Sequence, residues 1–187
     1  PEVFMGANAF HLAARKKNPD FITKVVYVDS WFDPAKEADA ARALIDQGVD
    51  VITQHTDGPA ALQVAEERGI VGGFGQGADM SAFAPDAHLT AIIDKWGPYY
   101  THAIESVLNG TWEESSSWEG LASGEVVIGP YNPKIPEDVV AEAERVKAGI
   151  IDGSIHPFAG PIVDTNGNVW AEEGDIIDDG EFWADSA

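Results

Sequence analysis

Between residues 24 and 108, short apolar runs rich in β-branched residues alternate with helical stretches, and this alternation constrains the chain most. Residues 24–29 (Lys-Val-Val-Tyr-Val-Asp) read as a strand. Asp33-Pro34 then opens a helix, because Asp33 can cap free amides and Pro34 suits the first helical position. Ala40, Ala43 and Leu44 line its apolar face, and Gly48 ends it. Further strands are expected at 49–53, 70–74 and 88–93. Helices are expected at 59–68, closed by Gly69, and from Gly97-Pro98 to Leu108, stopping at Asn109-Gly110. An earlier helix, 4–17, ends near Asn18-Pro19. Strands and helices at this spacing predict an α/β fold, a parallel sheet with helices on both faces.

The remainder reads differently. A polar connection at 115–118 leads to a strand at 124–129 and an amphipathic helix at 136–151. An apolar stretch at 155–163 and Val169-Trp170 flank Asn166-Gly167, a strong hairpin signal. The acidic tail from Glu172 reads as surface. There is no internal repeat.

With 44% hydrophobic and 23% charged residues, 187 residues suffice for a sizeable core. Asp and Glu number 32 against 11 Lys and Arg, a formal net charge of -21. Such a surface repels phosphate backbones, which argues against a nucleic-acid partner, and it suits solubility in salt. The absence of cysteine excludes a disulfide framework, a zinc-thiolate site and a cysteine nucleophile. No apolar run approaches the roughly 20 residues that span a bilayer. Pro1 leads straight into a helical pattern without an initiator Met, so the N-terminus reads as cut.

Ligands of parallel sheets bind beyond the carboxyl ends of the strands, here 29–33, 53–57, 75–81 and 94–96. Trp31 can stack on a flat ligand, worth roughly 1–3 kcal/mol per base, or be a rim aromatic packing the following helix; Phe32 is the better packer. In Thr-Gln-His-Thr-Asp (53–57), His55 and Asp57 can bond the edge of a heterocycle, while Gly58-Pro59 behind Asp57 also suits a helix cap. The glycines of 72–79 match neither a dinucleotide fingerprint nor a phosphate loop. They read as backbone approaching a ligand or a neighbouring loop closely, with Asp79 either a ligand acceptor or part of a surface turn. Asp94 and Trp96 precede Tyr99 and Tyr100; Trp96 can form a second apolar wall, and the tyrosines are expected against the sheet. The five histidines are scattered, and no His, Asp and Glu set has metal-ligand spacing, so neither metal nor cofactor is expected.

Several segments together resemble the basic membrane protein family, the PnrA-like substrate-binding lipoproteins of ABC transporters. They are Pro1-Glu-Val with Asn8-Ala-Phe, Ser30-Trp-Phe-Asp-Pro, residues 44–52 (Leu-Ile-Asp-Gln-Gly-Val-Asp-Val-Ile) and Trp96-Gly-Pro-Tyr-Tyr. Leu108-Asn-Gly-Thr-Trp, Trp118-Glu-Gly and Ile155-His-Pro-Phe-Ala-Gly-Pro continue the match. The resemblance implies the type I periplasmic-binding-protein fold, two α/β lobes joined by hinge crossovers. Residues 1–110 would be the second lobe and 111–187 the hinge return with part of the first, whose N-terminal segment is missing. This span would then be a piece of a longer or cleaved protein.

Similar family members are nucleoside receptors that hold the base between aromatics and the ribose with an Asp. Trp31 falls at the stacking aromatic. Gly77 stands at the ribose-binding Asp and Asp94 at a common Lys, departures that point to a free purine base, with adenine leading. The implied mechanism is capture without covalent chemistry. A purine stacks on Trp31 and Trp96, is edge-bonded by His55, Asp57, Asp79 and Asp94 with Asn8 as a further amide, and is buried by lobe closure for an ABC permease. The implied location is periplasmic or lipid-anchored outside the cytoplasm. A nucleoside hydrolase is the rival of another class, but no nucleophile elbow, metal cluster or paired base supports it. A sensory ligand-binding domain is the third reading.

Overall fold

A computed structural model describes residues 2–184; Pro1, where the family resemblance starts, and 185–187, the end of the acidic tail, lie outside the described residues. The chain divides into two compact units. One is Tyr27–Glu144; the other combines the chain up to Val26 with that from Arg145.

In the Tyr27–Glu144 unit, α2 (Pro34–Asp46) starts as its sequence predicts. Asp33 caps it by accepting the Lys36 amide at 3.1 Å, and Gly48 follows its end at φ 87°. Then come β1 (Val51–Ile52), α3 (Ala60–Arg68), β2 (Gly72–Gly77), β3 (His88–Asp94), α4 (Gly97–Asn109) and β4 (Val126–Ile128). The sheet order is β1-β2-β3-β4, the first three parallel and β4 antiparallel to β3. The α/β fold with a mostly parallel sheet is thus the one expected. The helices α3 and α4 stop at Gly69 and Gly110, both left-handed, as their positions predict.

The core forms where α2 packs on α3 and α3 on β1 and β2. Leu62, Ala65, Met80, Ala84 and Ala87 make one buried cluster; Ala41, Ile52, Ala61 and Val64 make another. Leu62 is fully buried, worth about 1.5–3 kcal/mol relative to exposure. The glycines of β2 make this approach possible: a Cβ on Gly73 would lie 2.6 Å from Leu62 Cδ2, and one on Gly72 2.6 Å from Leu89 Cγ. The expected strand at 70–74 sits later, at Gly72–Gly77, and its Gly72 and Gly73 serve helix and strand packing.

One expectation fails here. Residues 24–29 join neither sheet: β-branched composition favours extension, but a strand exists only through a ladder, and the sheet ends at the two-residue β1. The Tyr27–Glu144 unit extends past residue 110. By pairing with β3, β4 brings the chain beyond 110 into the same unit, which runs to Glu144.

The other unit holds α1 (Glu2–Lys17), the later part of α5 (Glu137–Asp152), the antiparallel pair β5 (Ile162–Val163) and β6 (Val169–Ala171), and α6 (Asp179–Ala184). Phe158, Ile162, Ala171 and Ile177 form its core, with Met5, Ala9 and Leu12 of α1 packed against them. The expected hairpin is present. Asp164 and Asn168 close a three-residue loop, the Asp164 amide donating to the Asn168 carbonyl at 2.9 Å, with Gly167 at φ 87°.

Candidate functional site

The carboxyl ends of β1, β2 and β3 carry the expected polar and aromatic residues, and the loop ahead of α2 joins them. Asp29 turns the chain at φ 50°, a left-handed conformation that Asp tolerates better than most residues. Ser30 and Trp31 follow. The Asp57 amide donates to the Trp31 carbonyl at 2.8 Å, binding the loop before α2 to the loop after β1. The Trp31 and His55 rings meet with centroids 6.1 Å apart and planes inclined by 54°. Trp31 remains 53% exposed, so the indole presents a flat, partly wet face with the imidazole beside it. Asp57 is exposed beside it. It does not cap α3, whose N-cap is Pro59 without a side-chain bond; Gly58-Pro59 sets the helix start one residue beyond its reach.

Gln54 organises the same loop. Its Nε2 donates to the Thr56 carbonyl at 3.2 Å and to the Gly58 carbonyl, and lies 3.7 Å from Met80 Sδ. Gln54 Oε1 and Thr56 Oγ1 are buried without a hydrogen-bond partner, the reverse of the usual rule for buried polar atoms.

Asp79 follows β2 and accepts the Ser81 amide at 2.9 Å. Its Oδ1 lies 3.8 Å from Nε2 of His88, which is 2% exposed. The Ser81 bonds, helped by His88, hold the Asp79 carboxyl below the usual carboxylate range. Burial pushes the His88 imidazole down, partly opposed by Asp79. Asp79 is therefore engaged within its own loop. Gly75 leaves room for this, since a Cβ there would lie 3.1 Å from His88 Nε2.

Asp94 ends β3 and is exposed. Its Oδ2 lies 3.6 Å from where a Cβ on Gly77 would stand, so the two positions that depart from the family pattern are neighbours in space. Trp96 stacks on Tyr100 at 6.1 Å and meets Tyr99 edge-on at 5.8 Å. Among the described residues Trp31 and Trp96 are not ring partners. Asn8 is exposed on α1, in the other unit.

Trp31, His55 and Asp57 are thus brought together, as are Asp94 and Gly77, while Trp96 forms its own aromatic group. Sequence reasoning missed Gln54, His88 and Glu37, polar residues whose role lies in burial. Only Glu37 left a local signal, four residues after a capping Asp.

The PnrA-like ABC transporter substrate-binding protein family matches residues 1–157. A purine-binding protein of Brucella abortus is 52% identical over 179 residues, 96% of this chain and 51% of its own length. A Haloferax volcanii protein carrying the name of an ABC transporter glucose-binding protein is 35% identical over 86% of this chain and 41% of its own length. The chain thus spans about half the length of these relatives. Among solved structures, an ABC transporter solute-binding protein from Aeropyrum pernix superposes with a TM-score of 0.65 at 18% identity, covering 85% of this chain and 53% of that one. That likeness shows the fold, the α/β architecture of solute-binding proteins. Proteins of this kind capture a solute without transforming it, so the family is not one of enzymes. The chain belongs to the PnrA-like family of ABC transporter substrate-binding proteins.

Proposed function

We propose that this chain supplies one wall of a purine site in the extracytoplasmic solute-binding component of an ABC importer. The observation that carries the reading is the Trp31–His55 pair, an exposed indole 6.1 Å from an imidazole at the carboxyl end of a parallel sheet. A purine needs a flat apolar face and edge partners able to donate and accept. Trp31 supplies the face; His55 and Asp57 supply the edge, with Asp94 beyond them. The purine-binding Brucella relative supports the same ligand class.

Within that class we favour the free base, adenine first. Gly77 offers no side chain to a ribose, and Asp79, held by Ser81 and His88, is not free to replace one. In the full-length protein, Asn8 and Trp96 would complete the contacts as the lobes close, and a permease would read the closed form. Residues 1–110 would serve as the second lobe, with a segment outside this span completing the first, and a lipid anchor would hold the protein at the membrane surface.

A second reading rests on one distance. Asp94 Oδ2 lies 3.6 Å from the Cβ position of Gly77, so its carboxylate can stand in for a side chain there and hold a ribose.

Calorimetric titration of the full-length protein with adenine, adenosine, guanine and glucose decides among them. Tight adenine binding with weak adenosine binding is expected. Adenosine preference abolished by Asp94→Ala would establish the second reading, and heat from glucose alone would remove the purine assignment. Trp31→Ala should weaken adenine binding by about 5- to 150-fold, the equivalent of roughly 1–3 kcal/mol of stacking.

A further inference from the structure

Among the described residues, Glu37 is one of two buried polar or charged residues, at 3% exposure. Its position in the first turn of α2 explains part of its geometry. Asp33 accepts the Lys36 amide, and Glu37 reaches back so that its Oε1 accepts the Asp33 amide at 2.9 Å, a reciprocal cap. A carboxylate at a helix N-terminus is also favoured by the helix dipole. Capping alone does not require burial, however, and burying a carboxylate is costly unless it is bonded. This one is only half bonded: Oε2 is buried without a partner.

What covers it is Gly58, itself buried. A Cβ on Gly58 would lie 2.7 Å from Oε2 and 3.2 Å from Oε1 of Glu37. The carboxylate thus touches two loops at once. One is Ser30–Asp33, which carries Trp31; the other is 54–58, which carries His55 and Asp57. The same loops meet again where the Asp57 amide donates to the Trp31 carbonyl and where the two rings approach. Glu37 sits beneath this junction and fills the space that Gly58 leaves open.

We infer that Glu37 is a positioning residue that sets the Trp31–His55 pair, holding one loop by its bond to Asp33 and the other by its contact with Gly58. It touches no ligand and acts through the two rings. Its effect on affinity rests on the proposed purine site; its effect on the ring pair does not.

The test uses the full-length protein and two readouts: nuclear Overhauser cross-peaks between the Trp31 and His55 rings without ligand, and adenine affinity. Glu37→Ala should abolish the cross-peaks and weaken adenine binding about tenfold, the scale of one hydrogen bond to a charged group. Glu37→Gln keeps the acceptor and the shape, and should restore both. Gly58→Ala should disturb the pair when Glu37 is present and add nothing further in the Glu37→Ala background, since its clash is with that carboxylate. Should Glu37→Ala unfold the protein, Glu37→Gln and Gly58→Ala still decide the matter. Cross-peaks that survive Glu37→Ala, a Glu37→Gln variant that fails to restore them, or additive effects of Gly58→Ala would each overturn the inference. If the unaltered protein binds neither adenine, adenosine nor guanine, the purine reading fails, and the cross-peaks alone judge Glu37.

Discussion

The helices α3 and α4 follow β1 and β3 of one sheet, lack a side-chain N-cap bond and end at a left-handed glycine. Their burial is opposite. On α3, Ala60, Ala61, Leu62, Val64 and Ala65 are buried; on α4 no residue is, and Ile104, Val107 and Leu108 are 61%, 61% and 80% exposed. Yet α4 is the more apolar helix, with aromatic and aliphatic residues throughout. Apolar composition therefore did not decide which helix packs. On the α3 side, Gly73 of β2 leaves the space that Leu62 occupies, so α3 can approach the sheet closely. The difference extends to the site. The loop before α3 is held by Gln54, Glu37 and the bond from Asp57, whereas Trp96 before α4 rests on the two tyrosines of the first turn.

The contrast has measurable consequences. Leu62→Ala should cost about 2–5 kcal/mol, the range for a buried leucine truncated to alanine, whereas Leu108→Ala should stay within about 0.5 kcal/mol. Urea unfolding of both variants checks this, and equal losses would mean that α4 is packed as well as α3. Glycine substitutions sharpen the same point with a smaller effect. Gly73→Ala should cost about 1–3 kcal/mol by forcing Leu62 aside, its Cβ being 2.6 Å from Leu62 Cδ2. Gly97→Ala meets nothing within 4 Å and should be neutral or stabilising by up to about 1 kcal/mol. Thermal melts of the pair would show it, and a destabilising Gly97→Ala would break the comparison.

The smallest effect concerns pH. Burial lowers the folded-state pKa of His88 below its ordinary 6.5. Between that lowered value and 6.5 the unfolded chain holds more protons, so stability should fall as the pH falls through this window and level off beneath it. One titrating group sets a slope of at most about 1.4 kcal/mol per pH unit. His88→Gln should flatten that part of the urea-midpoint curve; an unchanged slope would place its origin elsewhere.

Much of the local structure was legible from residues near one another in the chain. Asp33-Pro34 starts α2, Gly69 and Gly110 end α3 and α4, and Asn166-Gly167 lies in a hairpin, because caps and turns satisfy backbone groups within a few residues. Trp31, His55 and Asp57 meet for a reason the sequence did not show: among the described residues no strand precedes Trp31, and its loop is tied to the loop after β1 by the bond from the Asp57 amide to the Trp31 carbonyl. Asp57 as a helix cap and 24–29 as a strand were misread, since one depends on where α3 begins and the other on a ladder partner distant in sequence. Glu37, Gln54 and His88 escaped for a related reason: surface and buried polar residues look alike until the fold covers them.

Sequence by itself determined the alternation of strand and helix, the helix ends, the acidic charge and the family, all of which follow from local stereochemistry, composition or residue identity. The tertiary structure alone decided that Gly72 and Gly73 of β2 serve packing, that α3 is buried while α4 is not, and that Glu37 lies beneath the Trp31–His55 pair. Those outcomes depend on which surfaces meet. Burial and close contact are properties of pairs distant in sequence, and no single segment encodes its partner.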